Sequence, residues 1–99
     1  MSESQIQSKI LKYLADEGIY AVKVMSSNHS GTPDILACVK GVFVGIEVKT
    51  PEGKTSKLQD YALTQIRKSG GEAWVVHSLA ELADLVSHFP NINHNEGWR

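Results

Sequence analysis

Apolar positions along this chain alternate between the period of a helix and the period of a strand, and the switches divide it into seven short elements. Ser2 or Ser4, each followed three residues later by a glutamine, offers a capping-box start. Ile6, Ile10, Leu11 and Leu14 then mark one face of a helix that Gly18 ends. Residues 19–25 read as a strand with Val22 and Val24 on the inner face and Lys23 outward. A polar loop, residues 26–33, leads into two apolar runs around Lys40-Gly41, the pattern of a β-hairpin with a two-residue turn. After a second loop, Thr55 or Ser56 caps a helix running to about Ser69, with Gln59, Ala62, Leu63 and Ile66 on one face and Gly70-Gly71 as its stop. Residues 73–77 form a further strand. Ser78 with Glu81 opens a last helix carrying Leu79, Leu82, Leu85, Val86 and Phe89, and Pro90 ends it. The order predicts an α/β class: three successive strands, then a crossover helix to a fourth, in a small mixed sheet flanked by helices.

The hairpin carries the chemistry. With Lys40 and Gly41 as the turn, Val39 faces Val42, Cys38 faces Phe43, Ala37 faces Val44, Leu36 faces Gly45, Ile35 faces Ile46, and Asp34 faces Glu47. Lys49, two residues beyond Glu47, points to the same side as both acids. Directly opposed carboxylates repel and raise one another's pKa unless a cation lies between them. Oxygen-only ligation suits a hard ion, Mg2+ or Mn2+, and the nearby ammonium could hold an attacking water or stabilise charge developing on phosphorus, as in metal-assisted phosphodiester hydrolysis. Gly31 and Pro33 rigidify the approach to Asp34, and Gly45 leaves open space beside Glu47. The competing reading is a solvated strand edge, with a one-residue register slip separating the acids.

Other polar positions stay open between two roles. Glu3, one turn before Ile6, is either a third carboxylate reaching the acid pair or an exposed first-turn acid favoured by the helix dipole. Gln59 is either an inward group that orients water, substrate or the surroundings of Lys49, or part of a half-exposed helix start. Ser30 and Thr32 in the first loop are placed to approach a phosphate backbone, and His29 is either a DNA contact or a surface residue. Cys38, the single cysteine, reads as a small buried hydrophobe, and Trp74 as a core aromatic. His77 and His88 lack the spacing of metal ligands.

Ninety-nine residues allow one domain, assigned to residues 1–90 and followed by a polar tail at 91–99 that holds Trp98. A hydrophobic fraction of 41% and a charged fraction of 21% are ordinary for a globular protein, and no apolar run reaches a membrane span. The amino terminus lacks a signal-peptide pattern, so a cytoplasmic setting in a phage- or bacterium-type host cell is the expectation. A net charge of −1 argues against non-specific coating of nucleic acid. Locally the balance reverses: between Lys49 and Lys68 lie five basic residues, Lys54 and Lys57 among them, against Glu52 and Asp60.

Glu3 with Ile6-Gln7, the run Gly31-Thr32-Pro33-Asp34, the run Ile46-Glu47-Val48-Lys49, and Ser56 to Gln59 together resemble the PD-(D/E)xK nuclease superfamily, and within it the VRR-NUC family. The resemblance covers residues 3 to about 77. It implies a restriction-endonuclease-like αβββαβ core and a Mg2+- or Mn2+-dependent endonuclease. In that reading Asp34 and Glu47 hold the metal, Lys49 is catalytic, Glu3 assists from the first helix, and Gln59 supports the site. Small standalone members look like phage-type homodimers acting on branched DNA such as Holliday junctions. Two other readings compete: a flap or single-strand nuclease that depends on a partner, and an inactive nucleic-acid-binding subunit on the same fold.

Overall fold

The computed structural model describes residues 1–90, so the expected tail at 91–99 lies outside the described residues. The elements run α1 (Glu3–Asp16), β1 (Tyr20–Lys23), β2 (Ile35–Val39), β3 (Val42–Val48), α2 (Lys57–Lys68), β4 (Glu72–Val76) and α3 (Leu79–His88). The four strands lie in the order β1-β2-β3-β4. The first two pairings are antiparallel, and β4 is parallel to β3 after the α2 crossover. No helix among the described residues is long and apolar enough to cross a membrane.

Both long helices start on reciprocal caps. Ser2 Oγ accepts from the Gln5 N–H at 3.1 Å while Gln5 Oε1 accepts from the Ser2 N–H at 2.8 Å. Ser56 and Gln59 repeat this pair at 3.2 and 2.9 Å. Each pair satisfies two amide groups that the first helical turn leaves without partners. At α3 the expected box is only half formed: Ser78 Oγ accepts from Glu81 N–H, but the Glu81 carboxylate reaches back one residue further, to the His77 N–H at 2.8 Å.

The hairpin register is the expected one, with five partners from Ile35↔Ile46 to Val39↔Val42. Its turn places both Lys40 (φ 52) and Gly41 (φ 83) in the left-handed region, as a two-residue hairpin of this twist requires. The Lys40 ammonium donates to the carbonyls of Val86 and Phe89, so a cation sits on the C-terminal end of α3, where unpaired carbonyls concentrate negative potential.

Alternation along the strands separates two faces. Ile35, Ala37, Val39, Val42, Val44, Ile46 and Val48 point to one face and join Ile6, Ile10 and Leu14 of α1 and Leu82 and Val86 of α3 in a single core. Trp74 belongs to that core, edge-on to Phe89 with ring centroids 5.7 Å apart. The other face receives α2, whose Ile66 reaches Gly45.

Three expectations change here. Val22 does not face inward: it is 39% exposed, whereas Ala21 packs on the core. The reason is the pairing Ala21↔Ala37, which puts Ala21 on the α1 side, so a four-residue edge strand takes its phase from its neighbour. Cys38 is exposed, because it lies on the α2 face beyond the reach of that helix. Gly45 does not leave open space. A Cβ there would lie 2.7 Å from Ile66 Cδ1 and 2.9 Å from Pro33 Cγ, so neighbouring side chains already fill the place.

Gly31 is constrained more severely. It has φ +78, and a Cβ would lie 2.4 Å from the Leu58 carbonyl oxygen, a backbone atom of the first α2 turn. Gly31→Ala should therefore lower stability by about 2 kcal/mol or more through strain and displacement of the loop from α2, measured by urea unfolding.

Candidate active site

The antiparallel ladder of β2 and β3 stops at Ile35↔Ile46, and the site begins where it stops. Beyond it Asp34 lies opposite Glu47, and the next hydrogen-bonding position, opposite Val48, would fall to Pro33, which has no N–H to donate. Instead the Asp34 side chain completes the edge: its Oδ2 accepts from the Val48 N–H at 2.9 Å. On the other side of β3 the Lys49 N–H continues into β4, donating to Val76 O at 2.9 Å. Both sides of β3 are thus held where its polar side chains emerge.

Glu47 points to the α2 face and is 1% exposed. Its Oε2 accepts from Gln59 Nε2 at 2.8 Å and lies 3.6 Å from Lys49 Nζ, and its Oε1 is buried without a hydrogen-bond partner. Burial, first, and the neighbouring Asp34 carboxylate, second, push its pKa up from about 4.5 to about 7, although Lys49 pulls the other way. One lysine does not neutralise two carboxylates placed together, and an acceptor buried without a donor adds to the imbalance. Both features fit a cation-binding site. The donor set is oxygen only, which selects a hard divalent ion such as Mg2+, with Asp34 and Glu47 as the residues that would hold it.

Gln59 has the inward partner that its position requires, and the partner is Glu47. The same carboxamide caps α2 through Oε1 and braces Glu47 through Nε2. Glu3 is not brought in: among the described residues no group of three His, Cys, Asp or Glu side chains is gathered where it could hold a metal. Glu3 lies in the first turn of α1, half-buried and a full turn before Gln7, the buried polar residue of that helix.

The surrounding polar residues divide by use. Thr32 Oγ1 donates to His29 O at 2.8 Å and meets Ser27 Oγ at the same distance, so its hydroxyl shapes the loop. Ser30 and His29 stay exposed, as do Lys54 and Lys57 beside the start of α2. His77 and His88 pair locally with Glu81 and Asp84. Next to the acid pair, along the α2 face, runs a groove with a cavity volume of about 870 Å³, lined by Pro33, Leu36, Phe43, Leu58, Tyr61 and Ile66 among others. Two features were not anticipated. The Val48 amide has no sequence signal as an anchor for Asp34, and the burial of Gln7 in α1 was signalled only by its place beside Ile6.

Comparisons with known proteins find the same fold and a matching family. A family model described as archaeal Holliday junction resolvase (Hjc) matches residues 4–97. A solved VRR_NUC domain superposes with a TM-score of 0.77 at 27% identity, covering 88% of this chain and 96% of its own. A second VRR_NUC domain protein, 14% identical, superposes at 0.75 over 94% of this chain and 91% of its own and shows the fold alone. Hjc of Archaeoglobus fulgidus, a Holliday junction resolvase from an archaeal hyperthermophile, superposes at 0.59 with 27% identity over 76% of this chain and 67% of its own. No curated protein is significantly similar in sequence.

The raised pKa of Glu47 fixes a sign. The folded state binds its proton more tightly than the unfolded chain does, so the contribution of this group to stability is complete below about 4.5 and is lost as pH rises through about 7. Glu47→Gln removes the buried charge and keeps an acceptor for Gln59. The metal-free variant should be more stable than wild type at pH 8 by about 1–3 kcal/mol, and the difference should shrink towards pH 5 in urea unfolding. Metal affinity of the wild type should rise from pH 5 to pH 8, because the cation displaces that proton.

Proposed function

This chain belongs to the archaeal Holliday junction resolvase (Hjc) family, and on that premise we propose that it is a divalent-metal-dependent endonuclease hydrolysing phosphodiester bonds in branched DNA, four-way junctions foremost. The observation that carries the reading is the buried Glu47 carboxylate beside Asp34, with one oxygen unpartnered and Lys49 Nζ 3.6 Å from the other. A bound divalent cation supplies Lewis-acid polarisation of the phosphodiester and a more acidic water. Mg2+ and Mn2+ are the ions that suit these ligands.

The residues of the chain do the rest. Asp34, just before β2, and Glu47, within β3, would hold the cation, and the bond from Gln59 keeps Glu47 in one rotamer. Lys49, with its side chain 13% exposed, presents a fixed positive charge to the phosphate and stabilises the negative charge that grows there during attack. Lys54 and Lys57, with Ser30 and Thr32 of the facing loop, contact the DNA backbone, which positions the substrate without reading base sequence.

Two strands must be cut to resolve a junction, and a two-fold pair of active sites does so symmetrically. We assign the second site to a second copy of the chain. Phe43, Leu58 and Tyr61, 51%, 58% and 64% exposed around the groove, form the apolar surface that a second copy would cover.

Labelled four-way junction, flap and matched duplex, each incubated with Mg2+, Mn2+ or EDTA, test the reading. Junction cleavage with either ion, none with EDTA, and a loss of about 100-fold or more in Lys49→Ala and Asp34→Asn are expected. Preference for the flap would replace the resolvase reading with a partner-dependent nuclease, and binding without cleavage would indicate a binding subunit. Light scattering should give a dimer mass for wild type and a monomer mass for Tyr61→Glu, because a charge buried at an apolar interface is strongly unfavourable.

A further inference from the structure

We propose that Gln7 of α1 is a positioning residue for the divalent cation, its side-chain carbonyl oxygen accepting a hydrogen bond from water in the cation's hydration shell. This inference rests on the metal-dependent reading above. Among the described residues only two buried side chains are polar or charged, Gln7 at 8% exposure and Glu47 at 1%. The same two supply the buried side-chain atoms without a hydrogen-bond partner, Gln7 Oε1 and Glu47 Oε1. Both atoms are acceptors. Burying a carboxamide oxygen without a donor is unfavourable, and the helix position between Ile6 and Ile10 would ordinarily be apolar.

The topology puts Gln7 at the right end of the sheet. Helix α1 ends in a tight turn, with Ile19 N–H donating to Leu14 O at 2.9 Å, and β1 runs back along it. From Glu17 back to Gln7 the helix covers about 15 Å at ~1.5 Å per residue. From Ile19 to Val24 the strand covers about 16 Å at ~3.3 Å per residue. Gln7 is therefore level with Val24, whose N–H donates to Asp34 O at 2.8 Å. The two orphan acceptors thus lie at the same end of the sheet, one from each side of it. A hydrated hard cation there brings what both lack: positive charge for Glu47 and, through its waters, donors for Gln7. Glu3, a full turn earlier and only half-buried, is less well placed for this role.

Mn2+ titration of the full chain by calorimetry at pH 8, without DNA, tests the assignment beside thermal unfolding of each metal-free variant. Asp34→Asn should abolish binding. Gln7→Met, similar in volume and without an acceptor for water, should weaken Mn2+ binding about 10-fold, the usual scale for a group that orients a ligand shell. Its metal-free Tm should equal or exceed that of wild type, because the orphan oxygen is gone. Gln7→Glu, which retains an acceptor, should bind at least as tightly as wild type. A merely structural glutamine predicts the reverse: lower metal-free Tm and unchanged affinity. Wild-type affinity in Gln7→Met, or a loss confined to Asp34→Asn and Glu3→Gln, overturns the role of Gln7 and leaves the nuclease reading standing. Absence of Mn2+ binding by wild type overturns both.

Discussion

The 2.8 Å hydrogen bond from Gln59 to Glu47 joins the start of a helix to the electrostatics of the site. One carboxamide caps α2 and fixes the buried carboxylate, so the position of the crossover helix and the rotamer of the acid are set together. Around that link the sheet is held on both edges of β3, by the Asp34 carboxylate against the Val48 amide and by the Lys49 amide against Val76. The site is therefore built from the ends of regular elements, where side chains replace backbone partners that the strands no longer supply. Such placement gives rigidity without a loop having to provide it.

That rigidity has an energetic cost. A carboxylate with 1% exposure next to a second carboxylate is a poor way to stabilise a sheet, and its elevated pKa records the strain. Sites that violate local stability rules while the rest of the fold obeys them are where function concentrates. Here the remainder does obey: apolar alternation, reciprocal caps at two helices, a two-residue hairpin turn and a lysine on a helix C-terminus.

Much of this was legible in the sequence because short-range rules govern it. The Lys40-Gly41 turn fixed five cross-strand partners, since a two-residue loop allows one register and the apolar face must stay inside. The closeness of Asp34 to Glu47, and the need of Gln59 for an inward partner, followed from the same alternation. What escaped depends on contacts between elements distant in sequence. Val22 and Ala21 are both acceptable inward residues, and only the pairing with β2 decides between them. Cys38 is exposed because α2 packs over β3 and β4 rather than over β2, and Glu3 stays apart from the acids because of the place α1 takes along the sheet. Helical spacing alone could not give that place.

The cluster of Gly45, Pro33 and Ile66 bears on how such a chain can vary. Three positions from β3, the loop and α2 share one volume, so none of them drifts independently. A side chain gained at 45 has to be matched by one shortened at 66, and Pro33 limits the exchange because the next residue is Asp34. Sequence change at this packing point is thus conditional and ordered, and it is restrained by the chemistry one residue away even though none of the three side chains takes part in it.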